Sequence, residues 1–398
     1  MNKDRKSGIL SGITRNVFLL GLVSLFTDLS SQMVFPLIPL YLVGVLGASA
    51  SVVGIVEGAA EATASLVKVF SGYWSDRIKR RKLFVLIGYS LSAITKPLFA
   101  LAQIWPLVLV VRVIERVGKG IRAAPRDALV AESVDRSVRG KAYGFHRAMD
   151  GLGSVLGALL AFALLSATDS DYAGIFLLAG IPGIAAVLFV LLIKEPAAQP
   201  QRVLPASMRV SFRALPGNLK MLIAAASVFH LGHFGYAFLL LRARDIGLTD
   251  QTAILLYVLF YVTYVIAAIP AGMLSDRIGR KPVLLASYLL FAIVSFGLVF
   301  TSSLYSVLPF FAVYGVSFAM FDSVQRAYVV DFSPEHLRAT TLGTFHTAVG
   351  LVALPGGLIA GMLWDRISPG ATFVYGLVLA VVSSLLLLSV RPDDKTIA

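Results

Sequence analysis

Long apolar runs separated by short polar breaks dominate the chain. Each is about the 20 residues that a helix needs to cross roughly 30 Å of hydrocarbon. Read between breaks, they predict twelve membrane helices, near 16–42, 51–75, 83–101, 105–129, 143–167, 172–193, 220–242, 251–275, 282–301, 304–330, 340–363 and 371–390. The start, Met1 to Asn16, is polar and basic (Lys3, Arg5, Lys6, Arg15) and leads into the first run as a signal peptide would. That run goes on too far and has no small-residue cleavage site, so it reads as an uncleaved first span. Between Lys194 and Lys220 the pattern breaks into a polar, basic stretch punctuated by Pro196, Pro200, Pro205 and Pro216. The chain thus divides into an N-terminal six-helix bundle (1–193), a linker (194–219) and a C-terminal six-helix bundle (220–398). Within the linker, Ala206 to Leu215 reads either as a short amphipathic helix on anionic lipid or as a solvated tether.

The polar breaks repeat. Gly72-Tyr73-Trp74-Ser75-Asp76-Arg77, followed by Arg80, returns two hundred residues later as Gly272-Met273-Leu274-Ser275-Asp276-Arg277 and Arg280. At the same offset Arg126 matches Arg326, and Phe145-His146 matches Phe345-His346. A membrane chain built as two copies of one half points to a secondary transporter.

Composition agrees with the pattern. Hydrophobic residues make up 57% of the chain and charged residues 14%, against roughly 25% charged in soluble domains. There is no cysteine, hence no disulfide, thiolate nucleophile or cysteine metal site. The net charge of +13 has a topological source. Arg77, Lys79, Arg80, Arg81, Lys82, Arg136, Arg139, Lys141, Arg277, Arg280, Lys281 and Arg338 all fall in the connections after the second, fourth, eighth and tenth spans. The opposite connections near 44–50, 101–105 and 301–304 carry no basic residue. Short-loop Lys and Arg favour the cytoplasm, so both termini are expected inside, in the inner (plasma) membrane. The charge then calls for no nucleic-acid partner; the chain is read as a monomer in lipid.

These residues resemble the major facilitator superfamily. Gly72-x-x-x-Asp76-Arg77-x-x-Arg80-Arg81-Lys82, its echo from Gly272 to Lys281, and the six-plus-six layout carry the resemblance over nearly the whole chain. The resemblance implies that Gly72, Asp76, Arg77 and Arg80, with Gly272, Asp276, Arg277 and Arg280, form conformational latches. Each aspartate would sit near a helix N-terminus of the opposite half, a contact that dipole and hydrogen bonds favour. One position departs: the family's glycine is Lys79 in the first copy and Gly279 in the second. In the fourth span, Arg116-Val117-Gly118-Lys119-Gly120-Ile121-Arg122-Ala123-Ala124 is similar to the Arg-x-x-Gln-Gly-x-Gly-Ala-Ala pattern of drug:proton antiporters, with Lys119 and Arg122 in place of glutamine and glycine. The fifth span's Gly153-x-x-x-Gly157 is reminiscent of an antiporter motif but has Ala158 for its proline, and small-xxx-small spacing is ordinary helix packing.

Ionisable groups at membrane depth are costly and mark function. Asp28 sits mid-way along the first span; Glu57, Glu61 and Lys68 form one stripe on the second. The fourth carries Arg112, Glu115, Arg116, Lys119 and Arg122, where Glu115 and Lys119 have pairing distance at i, i+4. Four cations face one acid there. Asp28, Glu57, Glu61 or an anionic ligand must match the remainder. His146, Arg147 and Asp150 read as latch or interface residues. His230 and His233 share a face of the seventh span, and Asp322, Gln325 and Arg326 a face of the tenth. The family layout places spans one, four, seven and ten around a central cavity. Two histidines three apart with no third ligand read as hydrogen-bonding groups, so no metal and no cofactor are expected.

The chain is therefore expected to be an all-α membrane protein of twelve helices in two pseudo-symmetric bundles. It would be a proton-coupled carrier of a small organic molecule, working by alternating access, in the efflux direction. The alternative is an uptake symporter for an organic anion, a carboxylate or siderophore-like ligand. A membrane enzyme or non-transporting sensor fits less well, since no nucleophile constellation, metal spacing or nucleotide motif is present.

Overall fold

A computed structural model describes residues 13–78, 80–135, 138–168, 170–195, 215–333 and 338–390. Lys79, Arg136, the start of the chain and, except for Leu215, the amphipathic stretch of the linker lie outside them. Apolar runs become helices because hydrocarbon offers the backbone no partner but itself. In order the spans are Arg15–Gly44, Ala50–Ile78, Arg81–Leu101, Trp105–Glu132, Arg139–Ala167, Tyr172–Leu191, Gly217–Asp245, Asp250–Ile278, Arg280–Val299, Leu304–Asp331, Arg338–Arg366 and Pro369–Ser389. Eleven are apolar enough to cross a membrane by composition. Trp105–Glu132 is the twelfth: its charges are sheltered by its neighbours, with Arg112, Glu115, Arg116 and Arg122 all buried.

Two spans are broken where the sequence removes a helical hydrogen bond. The first stops at Val34 and resumes at Leu37 across Phe35-Pro36, since proline has no N–H to give. The seventh stops at Gly232 and resumes at Gly235, whose φ is +66°. His233 lies in this break, so it does not share a helical face with His230 as the spacing suggested.

The first span packs on the fifth and sixth, and the fourth on the second and third; in the other bundle the tenth packs on the eighth and ninth, and the twelfth on the seventh and ninth. The Gly153-x-x-x-Gly157 stripe is the contact of the fifth span with the first: a Cβ at either glycine would fall within 2.4 Å of the carbonyl oxygen of Leu25 or Leu29. Between the halves, the second span packs on the eleventh and the fifth on the eighth. The second and eleventh run antiparallel and meet backbone to backbone, where a Cβ on Gly54 would fall 1.9 Å from the Gly357 carbonyl oxygen.

The repeat is real, but its register slips by one residue. Ala50–Ile78 and Asp250–Ile278 are offset by about 200, whereas Trp105–Glu132 and Leu304–Asp331, like Arg139–Ala167 and Arg338–Arg366, are offset by 199. The slip lies in the motif loop. Two residues separate Ile78 from the helix starting at Arg81, while Gly279 alone, at φ +95°, separates Ile278 from Arg280. A one-residue turn in that conformation needs glycine. Arg126 and Arg326 are accordingly one step out of equivalence. So are the two Phe-His pairs, and the buried partners across the repeat are His146 and Phe345.

Candidate substrate and coupling site

The motif loops make one end of the bundle the basic face, and the opposite end is the far face. Hydrogen bonds join the halves from mid-span to the far face. Gln32 Nε2 donates to Tyr261 Oη at 2.5 Å and Tyr257 Oη to Gln32 Oε1 at 2.7 Å. Arg112 reaches Tyr236 Oη at 3.3 Å. Further out, Arg244 donates to the Leu40 carbonyl at 3.2 Å, Gln251 to Ser170 at 3.2 Å, and Tyr172 to Asp250. Glu61 and Lys119, well inside their spans, are nevertheless solvent-exposed, so water enters the seam from the basic side.

The N-terminal wall is ionic. Arg112 Nη2 donates to Glu57 Oε2 at 2.9 Å, and Glu115 Oε2 stands 3.6 Å from both Arg112 Nη1 and Arg116 Nε. The break at Pro36 swings Phe35 under these guanidiniums, 3.9 Å from Arg112 and 5.0 Å from Arg116 to the ring centroid, a cation–π support. Glu115 pairs with these arginines and not with Lys119. It turns toward the third span, where Ser92 Oγ donates to it at 3.1 Å and Lys96 Nζ donates to Ser92 Oγ at 2.9 Å. Lys119 lies within electrostatic reach of Glu61 and Asp28. Asp28 also feels Arg122, Arg126 and Asp150, the last of which the sequence placed at an interface. Lys96 adds a fifth cation to Arg112, Arg116, Lys119 and Arg122, against Asp28, Glu57, Glu61 and Glu115. Three donors stay unmatched among the described residues: Arg112 Nε, Arg116 Nη1 and Arg122 Nη1 are buried with no hydrogen-bond partner, while Arg112 Nη1 and Arg116 Nε have only their 3.6 Å ion-pair contact with Glu115 Oε2.

The C-terminal wall is aromatic. His230 Nε2 and Gln325 Oε1 are 3.3 Å apart, and Gln325 donates to Tyr288 Oη at 3.4 Å. His233 contacts Tyr314 Oη at 3.2 Å and stacks on Phe291 and Phe321. Asp322 holds Arg326 at 3.1 Å and accepts from Tyr264 at 3.2 Å. Tyr257, Phe260, Tyr261, Tyr264 and Phe318 continue the surface. No group of three or more His, Asp or Glu able to hold a metal occurs among the described residues. Sequence reasoning missed Gln32, Phe35, Lys96 and these tyrosines. Lys96 had a signal, a lysine inside an apolar run beside Pro97; an aromatic residue within an apolar run gives none.

On the basic face the motif aspartates bond within their own halves. Arg81 bridges Asp76 (2.9 Å) and Glu132 (2.8 Å), and Arg280 bridges Asp276 (2.6 Å) and Asp331 (3.3 Å). The partner of Arg280 is thus Arg81, not Arg80, because of the register slip. Lys82 and Lys281 agree, reaching the carbonyls of Leu191 (2.9 Å) and Leu388 (2.8 Å) at the ends of the sixth and twelfth spans. Arg77 donates to Tyr73 at 3.0 Å; Arg80 and Arg277 are exposed.

Twelve membrane helices in two related bundles, with a charged seam that water reaches from one side, define a membrane carrier. The model of the Major Facilitator Superfamily matches residues 20–243 and 221–397, and the chain belongs to that family. It is 40% identical over 383 residues to an uncharacterized MFS-type transporter of Methanocaldococcus jannaschii, covering 94% of this chain and 95% of that one. It is 25% identical over 323 residues to the cis,cis-muconate transport protein of Acinetobacter baylyi, covering 77% of each. A solved mutant of a nucleoside transporter superposes with a TM-score of 0.79 at 14% identity, over 95% of this chain and 100% of that one; this is a likeness of fold. The chain is a multi-pass membrane transporter.

Proposed function

We propose that the chain is a proton-coupled, alternating-access carrier of small organic anions in the inner membrane, with both termini cytoplasmic. The observation that carries this reading is the set of unmatched arginine N–H groups beside exposed Lys119, facing an aromatic wall. An unpaired buried donor is costly, and an anionic ligand would satisfy several at once, with bidentate geometry available at a guanidinium. The tyrosines opposite suit an apolar or unsaturated body. The name of the muconate relative is consistent with such a ligand. Glu57 is committed to Arg112, which leaves Asp28 and Glu61 as the exchangeable proton sites: each sees cations of its own half, and the rocking of the halves changes its access to water and, for Glu61, its distance from His230 of the other half. The similarity of Arg116 to Ala124 to the antiporter pattern favours efflux, in which protons enter as the anion leaves; uptake with protons is the second reading, favoured by the cationic wall. The basic loops support a cytoplasmic basic face, and Asp76 and Asp276 are read as latches that release in the state described above.

Purified protein in proteoliposomes, with a pH gradient imposed in either sense, tests this. Accumulation of a labelled aromatic carboxylate, competed by other carboxylates and not by lipophilic cations, is expected, and the sense of the productive gradient assigns direction. Transport of tetraphenylphosphonium without carboxylate competition would overturn the anion reading.

A further inference from the structure

The eleventh span ends in Gly361-Met362-Leu363-Trp364-Asp365-Arg366-Ile367, a third copy of the Gly-x-x-x-Asp-Arg-Ile sequence found at residues 72–78 and 272–278. It is not a product of the internal repeat: at the 199 offset its aspartate corresponds to Ser166 of the fifth span. It also lies at the far face, where the other two copies lie at the basic face. Asp365 Oδ1 accepts the Ala50 N–H at 2.9 Å, and Oδ2 accepts the Ser51 N–H at 2.8 Å and the Ser51 hydroxyl at 2.5 Å. Ala50 and Ser51 open the second span, so the carboxylate of one half caps a helix N-terminus of the other. Those amides have no partner within their own helix, and the positive end of its dipole favours the charge. The motif glycine permits the approach, since a Cβ on Gly361 would fall 2.4 Å from the Ser51 Cα.

The second and eleventh spans are antiparallel, so the same motif stands at the C-terminal end of each, on the face where the other begins. In this state the far-face end is engaged across the halves, while Asp76 at the basic-face end is held by Arg81 in its own half.

We propose that Asp365 is the positioning residue that holds the far face closed, making the second and eleventh spans a catch with a carboxylate at each end. This goes beyond the latch reading of Asp76, which concerns the basic face alone. When the far face opens, three hydrogen bonds and the dipole contact pass to water. The bias is therefore modest, about tenfold in the ratio of closed to open, enough to set the resting state without arresting the cycle.

The natural absence of cysteine allows a clean test. Val45 and Ile367 are exposed at far-face ends in opposite halves, and spin labels on Val45→Cys and Ile367→Cys report far-face opening by pulsed dipolar spectroscopy in nanodiscs without substrate. Asp365→Asn is expected to raise the open-to-closed ratio about tenfold, and Asp365→Glu to restore part of the closed population, which a merely structural role would not predict. Ser51→Pro removes the amide and the hydroxyl from the other side while fitting a first helical turn. It should shift the ratio in the same sense but by less, since the Ala50 N–H bond to Asp365 remains, and the double variant should go no further than Asp365→Asn alone. If Asp365→Asn does not fold, Ser51→Pro alone decides. An unchanged distance distribution in the folded variants, or additive shifts in the double, overturns the proposal. No substrate enters the measurement, so its outcome is separate from that of the anion reading.

Discussion

At the scale of single residues, Arg112 is fully buried, bonded to Glu57 and Tyr236, and lodged on Phe35. Removing one member of a buried pair strands the other. Arg112→Ala should therefore lower unfolding stability by about 2–3 kcal/mol, under the 3–5 of wholly buried pairs because Glu57 touches solvent. Adding Glu57→Gln should recover part of that loss, a coupling readable in a thermal double-mutant cycle in detergent. Asp28 differs, since it makes no close ion pair with any described residue and sees its cations at a distance. Asn in its place mimics the protonated acid. Asp28→Asn should keep substrate exchange and lose accumulation driven by a pH gradient; retention of the wild-type pH dependence would move the proton site to Glu61. The cluster on the fourth span was legible in the sequence because charges in apolar runs stand out. Its partners were less so. Phe35 and Tyr261 look like any other membrane aromatic until a proline break or a neighbouring helix gives them a direction.

At the scale of elements, reading the runs between polar breaks located all twelve helices, eleven of them by apolarity alone, because in lipid an apolar run long enough to span has no other stable backbone conformation. Where the helices touch was far harder to read. Gly54 and Gly72 are both glycines of the second span, yet a Cβ on Gly54 meets the Gly357 backbone at 1.9 Å while one on Gly72 meets only the Ala124 Cβ at 3.4 Å. Gly54→Ala should thus wedge the halves apart, costing about 1–3 kcal/mol and depressing transport, whereas Gly72→Ala should fold with near-normal melting temperature. Equal melting temperatures for the two would show that the seam yields. The break in the seventh span was likewise invisible to periodicity, and it separates two histidines that spacing had placed side by side.

At the scale of the whole molecule, two rigid bundles meet at a seam sealed on the far side and reached by water on the other. Asp76→Asn should weaken the network through Arg81 to Glu132 and shift conformational exchange without touching the ionic or aromatic walls. Turnover is expected to fall about tenfold, with substrate affinity by thermal shift little changed; equal loss of both would assign Asp76 to binding. The two-copy plan was legible from the motif loops, but a fixed offset of 200 hid the missing residue between Ile278 and Arg280, because two identical short motifs carry no record of a gap between them. That single missing residue bears on how the halves can be exchanged. A chimaera that grafts the second loop, Asp276 to Lys281, onto the first half residue for residue would turn the third span by about 100° and carry Ser92 and Lys96 away from Glu115 of the fourth span. Deleting Lys79 from the first half and supplying glycine in place of Arg80 should keep the graft in phase, so the two loops are interchangeable only after a deletion and a substitution at that turn.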